Sequence, residues 1–303
     1  MTLSLVDLLH DYTFQVIAVG TTLIGLLSGV LGSFAVLRGQ SLLGDAISHA
    51  ALPGIALIFL FTGIKDSTLF LVGAAASGLL GALWITSIVR NTKIKTDTAL
   101  GVVLSVFFGF GIMLLTFIQK RPNANQAGLE TYLFGQAATL LIGDVVVMGV
   151  AAVVIFLLVF LFWKELKIIT FDIQYASTQG VKTQWMDIGL TFLIVCTIVL
   201  GLQAVGVVLM SALLIAPAAA ARQWTNRLEA MVLLSACFGG LSGFLGTLVS
   251  SLSNHIATGP VIVLICVSFT LISFVFAPER GFLAKYRLRK QQRRLLLHKM
   301  NRL

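Results

Sequence analysis

Apolar runs of about 20 residues recur along the whole of this 303-residue chain. Each run is long enough to cross the hydrocarbon core of a bilayer, about 30 Å thick, as a helix. The runs are continuous rather than alternating, so they suit helices, which satisfy their own backbone hydrogen bonds, and not a barrel. Only 11% of the residues are charged, against roughly 25% in a soluble domain. The sequence therefore predicts an all-α integral membrane protein, built as a polytopic helical bundle.

Hydropathy predicts nine spans, with eight as the alternative. The join at 202–209 decides between the two counts, because two spans meet there without a polar loop and could form one long or broken helix. We expect residues 1–279 to form a single transmembrane domain and residues 280–303 to form a basic cytoplasmic tail along the membrane surface. The predicted spans are 13–37, 42–62, 68–89, 98–118, 140–163, 186–204, 205–224, 228–252 and 260–276.

The distribution of lysine and arginine predicts the orientation. If the number of spans is odd and the N-terminus lies outside, 18 basic residues face the cytoplasm and three, Lys65, Lys120 and Arg121, face outward. This arrangement fits the rule that positively charged loops stay inside. The tail supplies nine of the 18, so the net charge of +9 indicates contact with the anionic lipid bilayer, and no nucleic acid partner is expected.

Glycines recur at helix-packing spacing in two of the predicted spans. Gly25 and Gly29 lie four residues apart, as do Gly239 and Gly243. Small residues at this spacing let helix backbones approach closely in a membrane, where hydrophobicity cannot drive helices together. These four positions are therefore predicted to be packing faces.

Asp45 and His49 are the ionisable residues that lie away from the ends of the predicted spans. A charged side chain within the bilayer costs on the order of 3 kcal/mol even on insertion scales, so such a residue indicates function. Positions i and i+4 share one helix face, with Cβ atoms about 6 Å apart. At that spacing a carboxylate oxygen and an imidazole nitrogen can reach the same ion.

Three interpretations of this pair stay open on its chemistry. The first is a station for a divalent first-row metal, since mixed oxygen and nitrogen donors suit Mn(II), Zn(II) or Fe(II) better than Cu(I). Two donors are too few for a closed site, but a second copy across a two-fold axis would bring them to four. The second is a hydrogen bond that holds helices together, and the third is a proton relay in a secondary transporter.

The stretch 163–185 is the longest predicted cytoplasmic connection and is too polar to span the membrane. Within it, Asp172 is a suitable N-cap and Gly180 a suitable stop, so "FDIQYASTQG" predicts a short surface helix. A helix this short is marginally stable alone and needs a partner surface. It is interpreted either as a docking element or as a simple amphipathic loop helix.

Three segments resemble, in the same order, the signature segments of the metal-type ABC transporter permeases, the membrane subunits that import manganese, zinc or iron into bacteria. They are "LRGQSLLGDAISHAALPGIAL", "FDIQYASTQGV" and "VGVVLMSALLIAPAAAAR". The resemblance covers essentially the whole chain. It implies a permease like those of type II ABC importers, which works as a homodimer in the bacterial cytoplasmic membrane by alternating access. The implied partners are two ATP-hydrolysing subunits inside and a metal-binding protein outside.

The resemblance also assigns roles to residues. It implies that Asp45 and His49 form the transmembrane metal station and that residues 171–181 form the coupling helix, which sits in a groove of the ATPase. The implied coupling residues are Phe171, Asp172, Tyr175, Ala176 and Gly180. The stretch 119–136 and His255 are candidate contacts for the binding protein.

The chain itself is not expected to be an enzyme, because it contains no P-loop motif and the ATPase must be a separate polypeptide. No permanently bound cofactor is expected, since the metal is cargo. The principal alternative is a proton-coupled secondary metal transporter that acts without an ATPase. A permease for cobalamin or siderophores would need a wide, neutral cavity instead of an Asp–His station, and a purely structural membrane protein would not need the pair at all.

Overall fold

A computed structural model describes residues 10–64, 66–120, 135, 137, 140–252, 256–278 and 280–286. The predictions for His255, for most of 119–136 and for the tail beyond residue 286 fall outside these residues. Across the described ranges the regular structure is helical and no strand occurs, which confirms the predicted fold class. The helices are α1 (Tyr12–Leu37), α2 (Leu43–Thr62), α3 (Ser67–Asn91), α4 (Thr96–Gln119), α5 (Ile142–Leu161), α6 (Trp163–Phe171), α7 (Ile173–Thr178), α8 (Thr183–Ala204), α9 (Val207–Trp224), α10 (Leu228–Ser251) and α11 (Thr258–Phe276).

Eight helices of the described chain are long and apolar enough to cross a membrane: α1 to α5, α8, α10 and α11. Helix α9, with 18 residues, is about 27 Å long and runs between the same two ends of the bundle. Its beginning adjoins the start of α11, where Gly259 approaches the Val205 carbonyl. At its other end the Trp224 indole Nε1 donates to Ser273 Oγ at 2.9 Å, near the end of α11.

The doubtful join at 202–209 is a break between two helices. Helix α8 ends at Ala204, and Gly206 has φ of +91°, outside the helical region. Glycine adopts this conformation without the steric penalty that a side chain would bring. The chain can therefore turn back through the bundle as α9, which adds a ninth pass to the eight long apolar helices of the described residues.

The two glycine stripes pack against each other. A Cβ atom on Gly25 would overlap the carbonyl of Gly239, and one on Gly29 would overlap the carbonyl of Ser235. Across the same contact Ser235 Oγ donates to the Gly29 carbonyl at 2.7 Å. Helices α1 and α10 are thus in backbone contact, and the predicted packing role of the glycines is confirmed.

Basic residues of several helices collect at one end of the bundle, which we call the α7 end. Arg38 follows α1 and Arg90 lies in the last turn of α3, and both approach Asp187 near the start of α8. Lys167 of α6 pairs with Glu229 of α10 at 2.5 Å. The basic residues that the sequence assigns to the cytoplasmic side and that form these ion pairs therefore share one end.

Candidate functional site

Helix α2 carries Asp45 and His49 on one face, close to the α7 end. The structure corrects the predicted depth of Asp45, because the residue lies in the first turn of α2 rather than away from a helix end. The partial positive charge of a helix N-terminus stabilises a carboxylate there and lowers the cost of placing it. His49 stands one turn further into the bundle. The burial of Asp45 is therefore weak evidence for a functional site, and the geometry of the Asp45–His49 pair is the stronger evidence.

The two side chains are close enough to share an ion. Nε2 of His49 lies 3.4 Å from Oδ1 of Asp45. Donor atoms bound 2.0–2.2 Å from a tetrahedral ion are themselves about 3.4 Å apart. The His49 side chain is 16% exposed and that of Asp45 is 35% exposed. An ion that approaches this face can therefore reach both donors with little side-chain movement.

The other faces of α2 are fixed by close helix contacts. Ser77 Oγ of α3 donates to the Ala50 carbonyl at 2.6 Å, and a Cβ on Gly54 would overlap the backbone of α3. On a different face Gly44 packs on α9, where a Cβ would lie 3.0 Å from Leu214 Cδ2. These contacts hold α2 in place, while the face that carries Asp45 and His49 stays partly exposed to solvent.

Phe108 of α4 contacts the histidine ring edge-on, with ring centroids 4.6 Å apart and an interplanar angle of 70°. Nδ1 of His49 is buried and has no hydrogen-bond partner in the described part of the chain. A metal-binding histidine is usually oriented by a hydrogen bond from its second ring nitrogen. At His49 the contact that can restrict the ring is the packing on Phe108. Sequence reasoning missed Phe108, because nothing in the sequence predicts that α4 packs on this face.

The hydrogen bonds of the pair stay within α2 in the part of the chain that the structure describes. Within the residues that the structure describes, neither Asp45 nor His49 hydrogen-bonds to another helix, so the interpretation as interhelical glue loses support. The described residues also contain no group of three or more histidine, cysteine, aspartate or glutamate side chains that could hold a metal. One chain therefore offers two donors at this site.

The predicted surface helix is confirmed as α7. The Asp172 carboxylate caps it by accepting from the Tyr175 backbone N–H at 2.9 Å. At the other end Gly180 has φ of +76°, and Val181 N–H donates to the Ala176 carbonyl at 3.2 Å. This is the hydrogen bond of a glycine-terminated helix. Both ends of the short helix are thus fixed by local interactions.

The five predicted coupling residues lie together at the α7 end, apart from Asp45 and His49. Ala176 is fully buried and anchors α7 to the bundle. Phe171, Ile173 and Tyr175 are 57%, 55% and 53% exposed. Ile173 was not singled out from the sequence. Apolar side chains grouped on a polar end are typical of a protein-binding surface.

Comparison with known proteins establishes the family. Residues 10–277 match the profile of the ABC 3 transport family. The chain is a member of this family. It is 53% identical over 294 residues to the zinc transport system membrane protein TroC of Treponema pallidum (strain Nichols), covering 97% of this chain and 98% of TroC. It is 49% identical over 289 residues to the manganese transport system membrane protein MntC of Bacillus subtilis (strain 168), covering 95% of this chain and 66% of that longer protein.

A solved structure of the same kind agrees with the fold of this ABC 3 family member. PsaBC from Streptococcus pneumoniae in complex with Fab matches with a TM-score of 0.79 and 36% identity, over 91% of this chain and 96% of the matched chain. The resemblance to the metal-type ABC permeases is therefore confirmed. The chain is a multi-span membrane permease of the ABC transporter class.

Proposed function

We propose that this permease moves a divalent transition-metal ion, manganese, zinc or iron, across the bacterial cytoplasmic membrane as the membrane subunit of an ABC importer. The proposal rests on one observation: Oδ1 of Asp45 and Nε2 of His49 lie 3.4 Å apart on a partly exposed face of α2. Mixed oxygen and nitrogen donors suit all three metals. The zinc and manganese systems named for TroC and MntC support the same cargo class.

The site is completed by a second copy of the chain. Asp45 and His49 are partly exposed on the surface of one chain, so two copies related by a two-fold axis bring four donors together. Such a station binds the ion weakly enough to release it, as conduction requires. The metal passes through as cargo, and no cofactor stays bound.

Coupling to ATP hydrolysis occurs through residues 171–181. Phe171 and Tyr175 present exposed apolar surface to a separate ATPase subunit, while Ala176 anchors the helix and Asp172 and Gly180 fix its ends. Nucleotide-driven movement of the ATPase displaces α7 and opens the permease alternately to the two sides of the membrane.

The α7 end faces the cytoplasm in this proposal, and the N-terminus faces outward. The clustering of Arg38, Arg90 and Lys167 at the α7 end supports this orientation, since positive residues favour the inner side. An external metal-binding protein delivers the ion to the opposite face. His255 and the stretch 119–136 are proposed to contribute to that contact.

The proposal is tested by metal uptake in cells that express the permease with an ATPase and a binding protein. Asp45→Asn and His49→Ala are expected to lower uptake of Mn(II) and Zn(II) by at least about tenfold without reducing membrane abundance. Asp144→Asn is the matched control, because Asp144 also lies in the first turn of a membrane helix, α5, but its carboxylate only accepts from the Leu141 N–H. Full uptake by the isolated chain under a proton gradient would instead support the secondary transporter.

A further inference from the structure

Asp187 joins three helices at the α7 end. Its Oδ1 accepts from Nη2 of Arg38, and its Oδ2 lies 3.6 Å from Nη2 of Arg90. The Arg38 side chain is 8% exposed, that of Asp187 24% and that of Arg90 37%. One carboxylate therefore links the end of α1, the end of α3 and the beginning of α8, and the α1 contact is the most buried.

Arg38 is connected directly to the metal-binding helix. Two backbone hydrogen bonds cross the turn that follows it, from the Gln40 N–H to the Ala35 carbonyl at 2.9 Å and from the Leu43 N–H to the Gln40 carbonyl at 3.0 Å. Asp45 follows two residues after Leu43. Because this connection is short and hydrogen-bonded, a displacement of Arg38 is expected to move the first turn of α2 and the Asp45 carboxylate with it.

On its other side Asp187 is connected to the coupling helix. The Val181 N–H bonds back to the Ala176 carbonyl, and the Thr183 N–H bonds to the Val181 carbonyl at 2.8 Å, so α7 leads without a flexible linker into α8. A cavity of about 540 Å³ beside α7 is lined by side chains of both regions, including Arg38, Arg90, Asp172 and Asp187.

We propose that Asp187 is a positioning residue that transmits the movement of α7 to the metal-binding helix α2. This rests on the proposed function of residues 171–181 as the coupling element. Separation of the pair would leave the buried Arg38 guanidinium uncompensated, so Arg38 and Asp187 move together. A buried ion pair adds little net stability compared with apolar residues of the same size, which favours a role in transmission over a purely structural one.

The decisive variant is Asp187→Asn in the complete importer, comprising the permease, its ATPase and its binding protein, in proteoliposomes supplied with Mn(II) or Zn(II). Metal transported per ATP hydrolysed is expected to fall about tenfold, while ATP hydrolysis stays within about twofold of the unaltered importer. Glu229→Gln is the control, because the Lys167–Glu229 pair lies at the same end but its side chains are 46% and 50% exposed. An ion pair this exposed contributes little to stability. Metal transported per ATP and the rate of ATP hydrolysis should therefore both stay within about twofold of the unaltered importer.

Arg90→Gln provides a second variant if Asp187→Asn does not accumulate. It leaves the buried Arg38–Asp187 contact intact and removes only the charge 3.6 Å away, and it is expected to lower metal transported per ATP about threefold. Unchanged metal per ATP in Asp187→Asn, or in Arg90→Gln where the first variant is absent, would overturn the proposal. An unaltered importer that shows no ATP-driven metal uptake would overturn the proposed function instead.

Discussion

Two regions of the bundle differ in how they are built: the contact between α1 and α10, and the face of α2 that carries Asp45 and His49. In the first, glycines bring two backbones together and the Ser235 hydroxyl donates across the contact. In the second, the Asp45 and His49 side chains are 35% and 16% exposed, and Oδ1 of Asp45 lies 3.4 Å from Nε2 of His49. The first region gives the bundle a rigid frame. The second leaves donor capacity for a ligand, as a site that must bind and release an ion requires.

The largest effect is expected from a change in the frame. Gly25→Ala places a Cβ on the Gly239 carbonyl, which forces α1 and α10 apart at a cost of about 3 kcal/mol. Membrane abundance of the permease, measured by immunoblot, should fall at least about tenfold. Gly101→Ala in α4 is the control, since a Cβ there has open space. Equal abundance of both variants would show that the glycine contact between α1 and α10 does not stabilise the bundle.

The next largest effect distinguishes the site from the frame. His49→Ala should lower metal uptake by at least about tenfold and leave abundance unchanged, because within the described ranges the residue makes no hydrogen bond to another helix. The double variant Asp45→Asn with His49→Ala should be no worse than the more severe single variant, since both residues act on one ion. Independent, additive losses in uptake would contradict a shared ion.

A smaller effect is expected at the aromatic ring that orients the histidine. Phe108→Leu removes the edge contact with His49 and should raise the KM for metal uptake about threefold, with little change in the maximal rate. The matched control is Phe107→Leu, because Phe107 packs on Trp84 instead, with ring centroids 5.9 Å apart. Identical KM values for the two variants would argue against a positioning role for Phe108.

The smallest effect concerns the cap of α7, the proposed coupling helix. Asp172→Ala removes the carboxylate that accepts from the Tyr175 N–H and should cost about 1 kcal/mol of helix stability. Affinity for the ATPase should then fall about fivefold, measured by titration of the purified subunits. Asp66→Ala removes the equivalent cap of α3, where Asp66 accepts from the Thr68 N–H, and should leave the affinity unchanged. An affinity lowered equally by both changes would mean that α7 does not dock the ATPase.

Local patterns made the α1–α10 contact and the short helix α7 predictable. The glycine spacing and the cap signals at Asp172 and Gly180 act within a few residues, so the sequence shows them directly. The sequence left open whether the helix breaks at Gly206, because hydropathy carries no information about the backbone angle φ. The predicted depth of Asp45 was wrong even though the predicted span, 42–62, begins within one residue of α2. Asp45 lies in the first turn of either range, so the prediction gave too little weight to its closeness to the helix end.

Contacts between distant residues were not predictable. The Arg38–Asp187 contact joins residues 149 positions apart, and the Phe108–His49 contact depends on how α4 packs against α2. No periodic pattern in one sequence specifies which helices become neighbours. These tertiary contacts nevertheless hold the groups that orient the site and link it to α7.

The most direct test is X-ray absorption of Zn(II) bound to the purified complex of the permease with its ATPase, prepared without the metal-binding protein. We expect an inner shell of nitrogen and oxygen at about 2.0–2.2 Å, with the outer-shell scattering of imidazole. That imidazole signal should disappear in His49→Ala while the protein stays intact. The same imidazole scattering in the altered and unaltered complexes would contradict the claim that Asp45 and His49 together bind the ion.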